Sequence, residues 1–298
     1  MIPLRDANPT RRTPWITYLL IAANVAIFFL WQPLTGSDVE QQGFFLCEAQ
    51  IPWEVTNGAN LAEGGPQARL AISETYGAGT GGPVQRYLAA RCPGKSPYLA
   101  LLVSMFLHGS LLHIGGNMLY LWIFGNNVED RLGRASFLVF YLLGGLAASA
   151  LQMSFDPGST LPSLGASGAI GAVLGAYLVL FPGARVTTLV MFIVITVQQL
   201  PAVLVLGIWF VLQFFSGVGQ IGQTATGGVA YWAHVGGFAF GALAALLFYR
   251  GRRGASPIGV PPRPDLICVT PARRPSRRRP ATSSRTNVCR GSEASAPP

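Results

Sequence analysis

The sequence predicts an all-α polytopic membrane protein: one bundle of six transmembrane helices with a long first loop and a basic, disordered C-terminal tail. Three observations predict it. Half of the 298 residues are hydrophobic, only 11% are charged, and the mean hydropathy is positive, a balance that suits lipid better than water. Six apolar runs approach the roughly 20 residues that a bilayer crossing needs. Two of those runs repeat small residues at helical spacing, which lets membrane helices approach almost to backbone contact.

The net charge of +9 points to a nucleic-acid partner until it is mapped. Residues 1–249 hold ten basic and ten acidic side chains, so the whole excess lies in 250–298, where eleven arginines face Asp265 and Glu293. That tail is rich in Pro, Arg and Ser and too poor in large apolar residues to fold alone. It reads as a disordered cytoplasmic segment that reinforces topology and attracts anionic lipid headgroups. It lacks the aromatic interleaving of a nucleic-acid surface, so no nucleic acid is expected as a partner.

Residues 1–13 carry Arg5, Arg11 and Arg12 on the cytoplasmic side and lead into the first span, 14–31. A basic head before an apolar core also describes a signal peptide, but no small-x-small cleavage site follows and further spans lie downstream. Residues 32–97 hold no stretch apolar enough to span, and form the long extracytoplasmic loop of a membrane domain over 14–249. Cys47 and Cys92 lie in this loop. In an oxidising compartment they are able to pair; spacing alone leaves two free thiols equally open.

The remaining spans are 111–127, 136–152, 161–181, 200–217 and 231–249. The run over 186–197 is apolar but β-branched, ends in Gln198-Gln199 before Pro201, and is expected to lead into the fifth helix. Arginine placement orients the bundle. With an inner N-terminus, Arg131, Arg134, Arg185, Arg250, Arg252 and Arg253 fall inside, while the short outer loops over 154–160 and 218–230 hold no Lys or Arg. Both termini are therefore expected in the cytoplasm of a bacterium, with the bundle in its inner membrane.

In the fourth span Ser167, Gly171 and Gly175 share one stripe, and in the last span His234, Gly237 and Gly241 share another. Packing the two stripes brings hydroxyl and imidazole together at the outer end of the bundle. Serine is a poor nucleophile until a positioned base takes its proton, and histidine does so near neutral pH. The usual third member is a carboxylate, yet Glu129 and Asp130 fall at the inner end of the second span and Asp156 in an outer loop. A dyad is predicted, with His234 oriented by packing.

Acyl transfer also needs donors for a developing oxyanion. His113 and Asn117 are i, i+4 neighbours, and Gly165, Ala166 and Ser167 open a helix whose free amides point outward. His108, five residues before His113, either supports this group or marks where its helix reaches the interface. Any one of these histidines reads equally as a buried ring satisfied by a carbonyl, and the glycine stripes as ordinary packing motifs. What favours chemistry is that three histidines, Asn117 and Ser167 converge, since polar side chains within a membrane are functional by default.

Four runs carry a family resemblance: Gly165-Ala166-Ser167-Gly168, then His108-Gly-Ser-Leu-Leu-His113-Ile-Gly-Gly-Asn117-Met, Phe124-Gly125-Asn-Asn-Val-Glu129-Asp-Arg131-Leu-Gly133, and Ala233-His234-Val-Gly-Gly-Phe238. Over roughly residues 97–249 the chain resembles the rhomboid intramembrane serine proteases. The resemblance implies a rhomboid-like six-helix bundle, Ser167 as nucleophile, His234 as general base, and His113, Asn117 and the Ser167 amide around the oxyanion. It implies single-pass membrane proteins as substrates, cut in or near their transmembrane segments, with no metal or cofactor. It also implies that the loop over 218–230 caps the site and that the first loop lies partly in the outer leaflet.

The chain departs from the family in two places. Many members carry an aromatic residue four positions after the serine, stacked on the histidine, where this chain has Gly171; His234 is expected to be held more loosely, or by Tyr231 or Trp232. The first loop is long and holds two cysteines, so substrate access is expected to be arranged differently. Two other readings compete. A catalytically silent rhomboid-like protein binds transmembrane helices for trafficking or degradation, but such members typically lack the serine or histidine. A metal protease using His108, His113 and His234 lacks the His-Glu-x-x-His pattern and an intramembrane carboxylate. The sequence sets no natural substrate, pathway or oligomeric state.

Overall fold

The computed structural model describes residues 1–191, 195–221 and 228–249. The tail expected to be disordered, 250–298, and residues 222–227 of the expected capping loop lie outside them.

The chain opens with strand β1 (Ile2–Asp6) and helix α1 (Trp15–Leu30). No side chain within α1 caps its first turn; a distant carboxylate does so instead. Glu129 accepts from Ile16 N at 3.1 Å, Thr17 N at 2.7 Å and Thr17 Oγ1 at 2.8 Å. A carboxylate there satisfies free amides and complements the helix dipole. Asp130 beside it accepts from the amides of Arg11 and Arg12. The acidic pair of the Phe124–Gly133 motif thus ties its own helix to the N-terminal end of α1 and the residues before it.

Residues 32–97 are more ordered than a loop. They contain α2 (Asp38–Glu48), α3 (Pro52–Asn57), α4 (Gly65–Tyr76) and α5 (Gly81–Arg91), with α2 started by a Ser37/Glu40 capping box. The four helices close over a core of their own that includes Ile51, Leu61, Ile72 and Leu88. A Cys47–Cys92 disulfide staples it. Under the staple lies a buried ion pair, Lys95 Nζ to Glu54 at 2.7 Å. Glu54 also accepts from Leu61 N, and Lys95 donates to Leu46 O. Burial pushes the Glu54 carboxyl up and the Lys95 ammonium down, each partner opposing the shift of the other. Lys95→Met is therefore expected to destabilise this region by about 3–5 kcal/mol, because it leaves Glu54 buried alone, and a Glu54→Gln/Lys95→Met double variant should recover most of that. Unfolding of the purified protein in detergent checks this; an unchanged transition for Lys95→Met would contradict it.

A broken helix follows. Helix α6 (Pro97–Val103) and the turn Ser104–Phe106 meet the helix Leu111–Leu132 at 79°. This second helix comprises α7 (Leu111–Tyr120), a π-helical turn at Leu121–Gly125 and α8 (Asn126–Leu132). Helix α9 (Arg134–Phe155) then leads to α10 (Ser167–Leu180), the central rod of the bundle, in which every residue from Gly168 to Tyr177 is buried. The sequence places this helix from 161; it begins at Ser167. Pro162 and Gly165, whose φ of +125° is one that side-chain-bearing residues rarely adopt, hold the preceding residues irregular.

The run over 186–197 precedes the fifth helix, as expected, but as strands. It supplies β2 (Arg185–Met191) and part of β3 (Ile195–Pro201), which pair antiparallel, and β1 adds to β2 in the order β1-β2-β3. Val, Ile and Thr fill these strands and suit a pleated surface better than a helix. Asp6, at the end of β1, accepts from Tyr177 Oη at 2.9 Å and Asn127 Nδ2 at 2.6 Å, which fastens the sheet to the last turn of α10 and the start of α8. Burial raises the Asp6 carboxyl above its ordinary range.

Pro201 precedes α11 (Ala202–Gln220), and α12 (Tyr231–Ala244) continues as a π-helical stretch, Ala245–Tyr249. Among the described residues three helices are long and apolar enough to cross a membrane, or four with the broken pair, while α1 and α10 are shorter apolar helices. Large apolar side chains face outward on α1, α7 and α11, including Leu30 at 86% exposed, Leu112 at 87% and Phe215 at 67%. Apolar surface on that scale belongs in lipid.

Candidate active site

Helix α10 packs against α9 on one side and α12 on the other, and the α10–α12 seam is built without side chains. A Cβ at Gly237 would collide with the Gly168 carbonyl oxygen, and one at Gly241 with that of Ala172; from the other side, one at Gly175 would collide with the Phe238 oxygen. Two of these glycines flank His234 by one and two turns, so the seam fixes how closely its ring approaches the head of α10.

At the N-terminal ends of both helices His234 Nε2 lies 2.7 Å from Ser167 Oγ. Ser167 is the first residue of α10, and the loop before it is anchored from outside. Gly165 N donates to Ser104 O at 2.8 Å, Ser104 Oγ donates to Ala100 O, and Gln50 N donates to Ser104 Oγ. The stapled helices also grip 157–163: Trp53 N donates to Ser159 O, Thr56 Oγ1 to Pro157 O, and Gln50 bridges to Ser163.

His113 stands opposite. A Cβ built on Gly165 would lie 2.9 Å from His113 Nε2 and 3.5 Å from Ser167 Oγ, so the missing side chain lets imidazole, serine and the loop backbone share one small space. Gly109 N donates to His113 Nδ1 at 3.4 Å, which turns Nε2 toward Gly165. Asn117, one turn along α7, is buried and places Nδ2 2.9 Å from His108 Nε2. His108 sits at the break in the broken helix, its backbone N and O both clamped by the Gln32 amide, and its ring meets that of His113 edge-on at 5.0 Å. All the residues singled out in the sequence, Gly165, Ala166, Ser167, His234, His113, Asn117 and His108, therefore fall in one cluster. Ala166, fully buried, caps the first turn through its carbonyl, which accepts from Ile170 N.

One expectation about His234 changes. The ring is not held by packing alone: its Nδ1 lies 2.7 Å from Gln213 Oε1 on α11, and Trp209, one turn earlier, lies 5.8 Å from it ring to ring. Tyr231 contributes an edge-on contact at 6.4 Å, whereas Trp232 stacks on Phe155. No aromatic side chain fits at Gly171, because a Cβ there would already lie 2.9 Å from His234 O. A signal for Gln213 was present in the sequence: it is the one strongly polar side chain within the apolar run Val203–Phe215.

A hydroxyl, an imidazole within hydrogen-bond reach and N–H groups nearby are the kinds of groups that acyl transfer uses. The profile of the rhomboid domain matches residues 95–251, more than half of the chain and all of this cluster. The chain belongs to the rhomboid family. It is 34% identical over 107 residues to the mitochondrial Rhomboid protein 1 of Saccharomyces cerevisiae, covering 35% of this chain and 31% of that one. It is 36% identical over 102 residues to the mitochondrial presenilin-associated rhomboid-like protein A of Danio rerio, covering 34% and 27%. It is 30% identical over 165 residues to Rhomboid protease GluP of Bacillus subtilis, covering 55% and 24%. The chain thus spans a third or less of the length of these curated relatives. This rhomboid carries its stapled helices α2–α5 outside the matched region.

Proposed function

We propose that this rhomboid is an intramembrane serine endopeptidase that hydrolyses peptide bonds in or near the transmembrane segments of single-pass membrane proteins. The observation that carries the reading is the 2.7 Å contact between Ser167 Oγ and His234 Nε2. His234 takes the Ser167 proton as Oγ attacks the scissile carbonyl, and the negative charge develops on the carbonyl oxygen. The Ser167 amide, His113 Nε2 and Asn117 Nδ2 are the donors for that charge, with His108 positioning Asn117. His234 then protonates the leaving amine, the C–N bond breaks, and Ser167 holds the acyl half until water, deprotonated by the same ring, releases it. No step needs a metal or cofactor. The word protease in the name of the Bacillus relative agrees with this reading.

The proposed topology is six crossings: α1, the helix 111–132, α9, α10, α11 and α12 with its extension. The Arg-free outer loops support it, and a Cys47–Cys92 staple suits an oxidising outer side. Both termini then face the cytoplasm of a bacterial cell, with the bundle in the inner membrane; fractionation with protease protection of the termini tests the placement.

The deciding experiment is cleavage of a tagged model transmembrane substrate in liposomes by wild type and by Ser167→Ala, with chelator present. Cleavage by wild type alone is expected. Binding of the substrate without cleavage, together with no fluorophosphonate labelling of Ser167, would favour the silent helix-binding reading. Equal chelator-resistant cleavage by both proteins would assign the reaction to another nucleophile.

A further inference from the structure

We propose that Gln213 is a positioning residue that fixes the tautomer of His234, a role that rests on the protease reading of the Ser167–His234 pair. The argument begins with the atom presented to the ring. Gln213 Oε1 lies 2.7 Å from His234 Nδ1, and an amide oxygen accepts but has no proton to give. Nδ1 therefore carries the ring proton. A neutral imidazole has only one, so Nε2 presents its lone pair to Ser167 Oγ, 2.7 Å away, in the form a general base needs. The opposite tautomer would aim an N–H at the serine and leave nothing to draw its proton.

The choice of an amide follows from the surroundings. A carboxylate in this position would carry a charge within the span α11, where charged side chains are costly. An amide oxygen supplies direction without charge, and it remains an acceptor when His234 becomes doubly protonated during turnover. The contact therefore persists through the proton cycle. Gln213 also reaches the ring from a helix that is neither the one carrying Ser167 nor the one carrying His234, which leaves the close α10–α12 seam undisturbed. Trp209, one turn away on the same face of α11, lies against the same ring. On the α10 side, Gly171 offers no side chain, so the side-chain support described for the ring's Nδ1 edge comes from α11.

The test uses full-length protein in detergent, with Gln213→Met to remove the acceptor at similar volume and Gln213→Glu to keep it. Histidine labelled with 15N reports the tautomer, His234 being identified by its absence in His234→Ala. Wild type is expected to show His234 protonated at Nδ1. Gln213→Met is expected to lose that preference and to fall about 10- to 100-fold in turnover at nearly constant KM, while unfolding at the same temperature. Gln213→Glu keeps an acceptor while ionised and should hold the Nδ1–H form with more turnover than Gln213→Met, at a cost in unfolding temperature from the charge within α11. An Nε2-protonated His234 in wild type would overturn the proposal whether or not the protein cleaves anything. So would a Gln213→Met variant with wild-type tautomer and turnover, which would reduce Gln213 to packing. Should wild type show the Nδ1–H form yet neither cleave nor label at Ser167, the tautomer assignment stands and the protease reading falls.

Discussion

A His234→Ala variant is expected to purify folded and to lose cleavage by at least roughly a thousandfold, with fluorophosphonate labelling of Ser167 falling alongside. The magnitude follows from what the ring does. Without a base 2.7 Å from Oγ, the serine keeps its proton at neutral pH and attacks only as an alcohol. Residues that act as one unit are non-additive, so Ser167→Ala/His234→Ala should lose hardly more than either single variant. The fold should survive, because His234 sits in the first turn of α12 and the glycines that set the helix approach remain. Measured turnover and labelling decide it: full activity in His234→Ala would remove the ring from the mechanism, and a variant that fails to fold would show that the ring is structural.

Gly241→Leu is expected to unfold the bundle or lower its transition by more than the roughly 1–3 kcal/mol of ordinary overpacking. A leucine in a soft core pushes neighbouring side chains aside. Here the first added carbon meets the Ala172 carbonyl oxygen, a backbone group within the stretch of α10 that is buried from Gly168 to Tyr177. Relief requires α10 and α12 to separate, and separation also draws His234 away from Ser167. Stability and turnover should therefore fall together in this variant, unlike in His234→Ala. A thermal unfolding series in detergent with parallel cleavage assays distinguishes the two, and an unchanged transition for Gly241→Leu would contradict the seam.

The fold was legible where one physical rule dominated. Apolar runs marked the helices, and small residues at helical spacing marked the α10–α12 seam, because in lipid close packing depends on what is missing from the interface. The reading failed where rules competed. Residues 186–197 were kept out of the spans for their β-branched content, but their strand partners lie on distant β1 and in the adjoining strand, which no local pattern reveals. Residues 32–97 lacked an apolar span, and their own small core was hidden because its periodicity is spread over four short helices. At the candidate site Ser167, His113, Asn117 and His234 were readable as polar residues in apolar runs. Gln213 obeyed the same rule and was passed over, because the search for a third member considered only carboxylates.

The three-stranded sheet has a consequence in time. Asp6 pairs with Val186, accepts from Tyr177 across 171 positions and from Asn127 across 121. At ordinary synthesis rates of about 5–20 residues per second, β1 waits on the order of ten to forty seconds before β2 exists. During that interval the strand is an open edge without its partner. Closure of the sheet thus waits for β2, and it ties the earliest part of the described chain to α8 and α10, helices from its middle.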